Sequence, residues 1–111
     1  MKRSSRLRIG IAILAASLFL LGTSRVHAQN EAEKTYKTKC AACHGADGSG
    51  SEVGKKMGAH DFHSSQVQSQ SEADLAQVVA KGKNKMPSYE KSLKPDEIKA
   101  LATYVHDLGK K

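Results

Sequence analysis

The sequence predicts an all-α domain with three main helices. Three observations point there. Residues 71–81 and 95–108 carry apolar side chains at helical spacing, between recognisable start and stop signals. Ala32, Tyr36 and Cys40, at i, i+4 and i+8, give a third apolar face that leads into Cys40-Ala41-Ala42-Cys43-His44. No stretch of consequence alternates apolar and polar residues as a half-buried strand does, and no internal repeat occurs.

Residues 1–28 are expected to be a leader. Residues 1–8 hold Lys2, Arg3, Arg6 and Arg8 and no acid. Residues 9–22 are an uncharged apolar run of 14 residues, and Val26-His27-Ala28 supplies a small-residue cleavage signal. That order describes a secretory signal peptide cut after Ala28. The competing reading is an uncleaved membrane anchor, but a spanning helix needs about 20 apolar residues. The leader has no cysteine to lipidate and no Arg-Arg pair for twin-arginine export. Residues 29–111 then form one domain of 83 residues, exported to the periplasm, without stable membrane insertion. An uncleaved leader would tether it to the membrane instead.

The formal charge of the chain is +7. Five basic residues fall within 1–28, so residues 29–111 carry 13 lysines, no arginine and 11 acids, a net charge of +2. With no Arg for bidentate base contacts and no Trp for base stacking, nucleic-acid binding is not expected.

The first helix of the domain is expected to start near Asn30, because Asn30 and Glu33 have capping-box spacing. Cys43 lies three residues beyond Cys40, so continued helix keeps both sulfurs on one side. Gly45, Gly48, Gly50, Gly54 and Gly58 read as loop. Residues 59–70 are polar and weakly patterned, apart from Phe62 and Val67. The second helix starts at Ser71 with Asp74 as its capping partner, carries the stripe Leu75, Val78 and Val79, and stops at Gly82. The third has Pro95 at its first position and Asp96 and Glu97 in its first turn. Ile98, Leu101, Ala102, Val105 and Leu108 form its apolar face, and Gly109 ends it.

Cys40 and Cys43 are the only cysteines, and His44 follows directly. This spacing reads as covalent attachment of one c-type haem, with the two sulfurs as thioethers and His44 as an iron ligand. Export fits this reading, since attachment consumes both thiols in a compartment that would otherwise oxidise them. The small core fits as well. Residues 29–111 have only Tyr36, Phe62, Tyr89 and Tyr104 as aromatics, and a buried haem would supply the missing apolar surface. A thiol oxidoreductase using Cys40 and Cys43 as a redox pair is a competing reading.

The second axial position has five candidates: Met57, Met86, His60, His63 and His106. Met86 is preferred. It sits in Lys83-Asn84-Lys85-Met86-Pro87, and Pro87 biases it towards an extended conformation suited to a short stiff loop. Met57 is expected to pack near the haem edge or in the core. His60, His63 and His106 are expected at the surface.

At this point the chain resembles the small bacterial class I cytochromes c, which carry one haem. Residues 36–45, 81–87 and 93–108 carry the match, and with the spacing between them they cover nearly all of 29–111. The resemblance implies the cytochrome c fold, three main helices wrapped around one covalently bound haem. It implies Cys40 and Cys43 as thioether sites and His44 and Met86 as axial ligands. It also implies a close crossing of the first and last helices, with Tyr104 packed against Tyr36 and Ala32. Ala32 stands where many members have Gly, which predicts a slightly wider crossing.

The function expected from all this is electron transport, not catalysis. A soluble monomer would carry single electrons between respiratory or dehydrogenase partners through His/Met-ligated haem iron. Lys39, Lys81, Lys83 and Lys85 surround the haem-bearing segments and could steer acidic redox proteins to dock there. Two alternatives stay open: a haem subunit of a larger oxidoreductase, and a gas sensor or peroxidase if Met86 is labile.

Overall fold

The computed structural model describes residues 22–111. Among them the fold is helical, and the only strand-like pairing is an isolated antiparallel bridge between Lys83 and Met86. Helix α1 covers 22–39. It is followed by α2 (Ala41–His44), α3 (Glu52–Lys56), α4 (Ser65–Gln68), α5 (Glu72–Lys81) and α6 (Pro95–Leu108). The basic start of the expected leader and nearly all of its apolar run lie outside the described residues. Among those described, no helix is long and apolar enough to cross a membrane.

The expected helix start at Asn30 is corrected: α1 is already helical at residue 22 and passes through Asn30 without a break. Residues 23–29 contain neither Gly nor Pro to stop it. Glu33 does not serve as a capping partner either. Its carboxylate accepts from Lys37 Nζ, one turn on, at 2.6 Å. At its other end α1 runs almost directly into α2. Cys40 N–H donates to Tyr36 O at 2.9 Å and His44 N–H donates to Cys40 O at 2.9 Å, so helical bonding spans the junction.

Helices α3 and α4 occupy stretches expected to be loop. Each begins on a serine cap. Ser51 Oγ accepts from Gly54 N–H, and Ser64 Oγ accepts from Val67 N–H. Both helices are too short for apolar periodicity to announce them. The two longer helices follow the expectations closely. Ser71 and Asp74 exchange bonds at the start of α5, and Gly82 follows its end. At the start of α6, Glu97 accepts from Lys94 N–H at 2.7 Å. Lys94 has no acceptor to return, so only half a capping box forms there.

One core joins these elements. Ala32 and Tyr36 of α1, Phe62, Val67 of α4, Leu75 of α5, and Leu101, Ala102 and Leu108 of α6 form a single buried cluster. Tyr36 and Leu101 are effectively inaccessible, at 0% and 1% exposure. The crossing of α1 with α6 brings the Tyr36 and Tyr104 rings to 5.3 Å between centroids, with Ala32 buried beside them. Helices α5 and α6 pack on each other, and Thr103 Oγ1 donates to the Glu72 carboxylate at 2.7 Å.

Candidate haem site

A cleft opens between α2, α3, the segment 57–62, α5 and the turn after it. Cys40, Cys43, His44 and Met86 all line it, with Phe62, Val67, Leu75, Val78 and Pro87 supplying apolar wall. These are the four residues expected to hold a haem; His44 and Met86 stand 42 positions apart in the chain, and the fold brings all four to one cavity.

The side bearing the cysteines is built by the chain folding back on α2. The final carbonyls of a helix need donors from elsewhere. Here Ser51 Oγ donates to Ala42 O at 2.7 Å, Ser51 N–H to Cys43 O at 3.0 Å, and Gly50 N–H to His44 O at 2.8 Å. Helix α3 therefore lies directly against α2. Gly54 is buried at that contact, and a Cβ there would run into the Cys43 carbonyl. Tyr36 closes the other side, its hydroxyl donating to Gly45 O at 2.6 Å.

Another wall is the turn after α5. Lys83 and Met86 exchange backbone bonds at 3.2 and 2.9 Å, with Asn84 at φ 54° in the left-handed region that Asn tolerates. Gly82, at φ 75°, lets this turn lie close: a Cβ there would sit 2.6 Å from Met86 O. The segment beyond Met86 then bonds the last carbonyls of α5. Ser88 Oγ donates to Ala80 O at 2.6 Å and Tyr89 N–H to Val79 O at 3.1 Å. Tyr89 also donates its hydroxyl to Lys39 O at 3.2 Å, tying the Met86 wall to the end of α1.

The chemistry of these groups suits a covalently held haem. Cys40 and Cys43 form no disulfide. Burial pushes the Cys40 thiol above its ordinary range, partly opposed by Lys39, whereas a thiol redox pair depends on a lowered one. Burial lowers the His44 imidazole, favouring the neutral form that binds metals. Its Nδ1 is buried without a hydrogen-bond partner among the described residues. The cavity is largely apolar and is lined by the sulfur and nitrogen donors of Cys40, Cys43, His44 and Met86.

A family model described as "Cytochrome C oxidase, cbb3-type, subunit III" matches residues 27–105. The chain belongs to this cytochrome family. It is a small monohaem c-type cytochrome, with covalently bound haem c and iron as its cofactor. The cytochrome is 34% identical over 103 residues to the cbb3-type cytochrome c oxidase subunit FixP of Bradyrhizobium diazoefficiens, covering 91% of this chain and 34% of that protein. It is 36% identical over 85 residues to the subunit CcoP of Azospirillum brasilense, covering 74% and 29%. It thus spans about a third of the length of these oxidase subunits. It is also 36% identical over 77 residues to cytochrome c6 of Nostoc sp. strain PCC 7120, covering 69% of this chain and 66% of that one. A solved structure, the KustC0563 c-type cytochrome, superposes with a TM-score of 0.65 at 29% identity, covering 68% of this chain and 94% of that chain.

The other expected positions fall as follows. Met57 lines the cleft and is 41% exposed, so it is not a core residue. His60 and His63 are exposed; His60 nevertheless reaches the cleft, and His63 Nδ1 lies 2.7 Å from the Asp61 carboxylate. His106 is corrected: it is half-buried, with Nδ1 enclosed and Nε2 3.4 Å from Gln68 O. The unforeseen helix α4 is what covers it. Lys39, Lys83 and Lys85 are exposed at the cleft. Lys81 differs from the expectation, because it does not line the cleft and its ammonium bonds the Glu90 carboxylate at 2.7 Å. Gly54, Ser51 and Tyr89 were not singled out for the site. Gly54 was hidden among four other glycines, and the bonds of Ser51 and Tyr89 depend on contacts distant along the chain.

The contact of Gly54 with Cys43 predicts a measurable sensitivity. Gly54→Ala is expected to destabilise the haem-loaded protein by about 1–3 kcal/mol, the range for overpacked contacts. Urea unfolding followed by far-UV circular dichroism measures it, and an unchanged midpoint would remove the role given to this contact.

Proposed function

We propose that the cytochrome is an exported single-electron carrier whose iron is ligated by His44 and Met86, with Cys40 and Cys43 as thioether sites. The observation that carries this reading is the joint lining of one apolar cleft by both cysteines, His44 and Met86. When bound, the haem supplies a one-electron Fe(III)/Fe(II) couple. Met86 would supply a thioether to the iron, which favours the reduced state relative to a second imidazole. With His44 and Met86 both holding the iron, no ligand position would remain for substrate. The apolar wall of Phe62, Val67, Leu75 and Val78 limits water around the ligands.

Lys39, Lys83 and Lys85 lie around the mouth of the cleft and would steer a partner with an acidic face. Lys81 adds little to this field, since Glu90 offsets its charge. We place the cytochrome in the periplasm after removal of residues 1–28. A second reading, a haem-bearing subunit attached to a larger oxidase, is favoured by the family match and by the FixP and CcoP relatives. The match over 94% of a solved c-type cytochrome chain shows a chain of similar extent with this fold, which supports the first reading.

Native protein from a membrane-free extract is expected to run as a monomer, with an intact mass equal to residues 29–111 plus one haem. Co-purification with oxidase subunits would support the second reading, and a retained leader would remove the cleavage. Met86→Ala is expected to abolish the weak near-red sulfur-to-iron band of the oxidised protein and to allow carbon monoxide binding in the reduced one. Retention of the band in that variant would exclude Met86. Lys83→Gln with Lys85→Gln is expected to slow reduction by an acidic redox protein several-fold at low salt and to flatten its salt dependence. An unchanged rate and salt slope would remove the docking surface.

A further inference from the structure

We infer that the Tyr89 hydroxyl is a latch that holds the Met86 turn in place and keeps the sixth iron position closed. The inference deepens the reading of Met86 as an axial ligand and rests on it. Tyr89 stands three residues beyond Met86 and lines the same cleft. Its hydroxyl donates to Lys39 O at 3.2 Å, across 50 positions of chain. Lys39 is the last residue of α1, and Cys40 follows it directly. The bond therefore ends on the residue next to the first thioether site. The last carbonyls of a helix need donors from outside it, and Tyr89 supplies one.

The bond joins two parts that are built separately. Cys40 and Cys43 belong to the junction of α1 and α2, on which α3 folds back through Ser51. Met86 belongs to a turn closed by its own exchange with Lys83 and fastened to α5 by Ser88 Oγ on Ala80 O. A haem bound through both cysteines moves with the first part, and a thioether from Met86 moves with the second. Separation of the two parts draws Met86 away from the iron. Tyr89 spans them from a fixed backbone. Its N–H donates to Val79 O at 3.1 Å, and its carbonyl accepts from Leu93 N–H at 2.9 Å.

The latch has a functional consequence. Surface turns open locally at much lower cost than the whole fold unfolds. One neutral hydrogen bond shifts such an equilibrium by about two- to ten-fold. With the turn closed, the site exchanges electrons without binding small molecules. Each opening offers the iron to a diatomic ligand such as carbon monoxide. The phenol thus sets how often a carrier behaves as a ligand-binding haem protein. A phenylalanine would pack on the same wall but has no O–H to donate, so the hydroxyl rather than the ring carries the effect. Tyr89 is in this sense a positioning residue, acting on the iron through Met86.

The test is the rate of carbon monoxide binding to the reduced, haem-loaded protein. Far-UV circular dichroism during urea unfolding measures global stability separately. Binding is expected to be slow in the wild type, limited by opening of the Met86 turn, and fast in Met86→Ala. Tyr89→Phe is expected to raise the wild-type rate about two- to ten-fold. It is also expected to bleach the near-red band of the oxidised protein at a lower temperature. Thr103→Val removes a hydroxyl bond between α6 and α5, away from the cleft. That variant is expected to leave the rate unchanged even where it lowers the urea midpoint. A Tyr89→Phe rate and bleaching temperature equal to the wild type would overturn the latch. So would an equal rise in Thr103→Val, which would assign the effect to stability at large. A wild type that binds as fast as Met86→Ala and lacks the near-red band would instead overturn the ligand reading beneath it.

Discussion

Tyr36 is the residue on which the remaining structure converges. Its side chain is fully buried, between Tyr104 of α6 and Phe62. Its hydroxyl donates to Gly45 O, the carbonyl immediately after His44. Burial holds the phenol far above its ordinary ionisation range, so it remains a neutral donor. One side chain therefore fixes the crossing of the first and last helices, the end of the Cys-x-x-Cys-His turn, and the aromatic that stacks on His44. The elements that hold the site and those that hold the fold are the same elements.

The cleft has two walls with different construction. The cysteine wall is short-range: α2, the glycine turn and α3 fold on one another within about 20 residues, through backbone and serine bonds. The Met86 wall is a tight turn anchored at α5 and joined to α1 by the Tyr89 hydroxyl, across 50 positions of chain. Much of the first wall can form locally, whereas the second needs α5 docked against α6.

How much was legible in the sequence follows from the range of each contact. Helices α5 and α6 announced themselves because Ser71, Asp74, Pro95 and their apolar stripes are local signals read in one window. Cys40, Cys43 and His44 stand out in the sequence through their spacing, and Met86 through Pro87 and through resemblance; the fold brings all four to one cleft. By contrast, α3 and α4 span barely a turn each, so their serine caps had no periodic stripe to support them. The start of α1 was misread because Asn30 and Glu33 satisfy a capping pattern, while Glu33 pairs with Lys37 instead. His106 lies at the border of its helix stripe, and only the docking of α4 decides that it is enclosed. Phe62 looked like an isolated apolar residue, and nothing local announces that it lies on His44.

The central claim is that iron in this cytochrome is held between the His44 imidazole and the Met86 thioether. X-ray absorption at the iron edge of the purified protein, in both redox states, addresses it most directly. The account predicts one sulfur scatterer at the iron alongside the nitrogen shell, retained on reduction and lost in Met86→Ala. An iron site with no sulfur, or one whose sulfur survives that substitution, would contradict it.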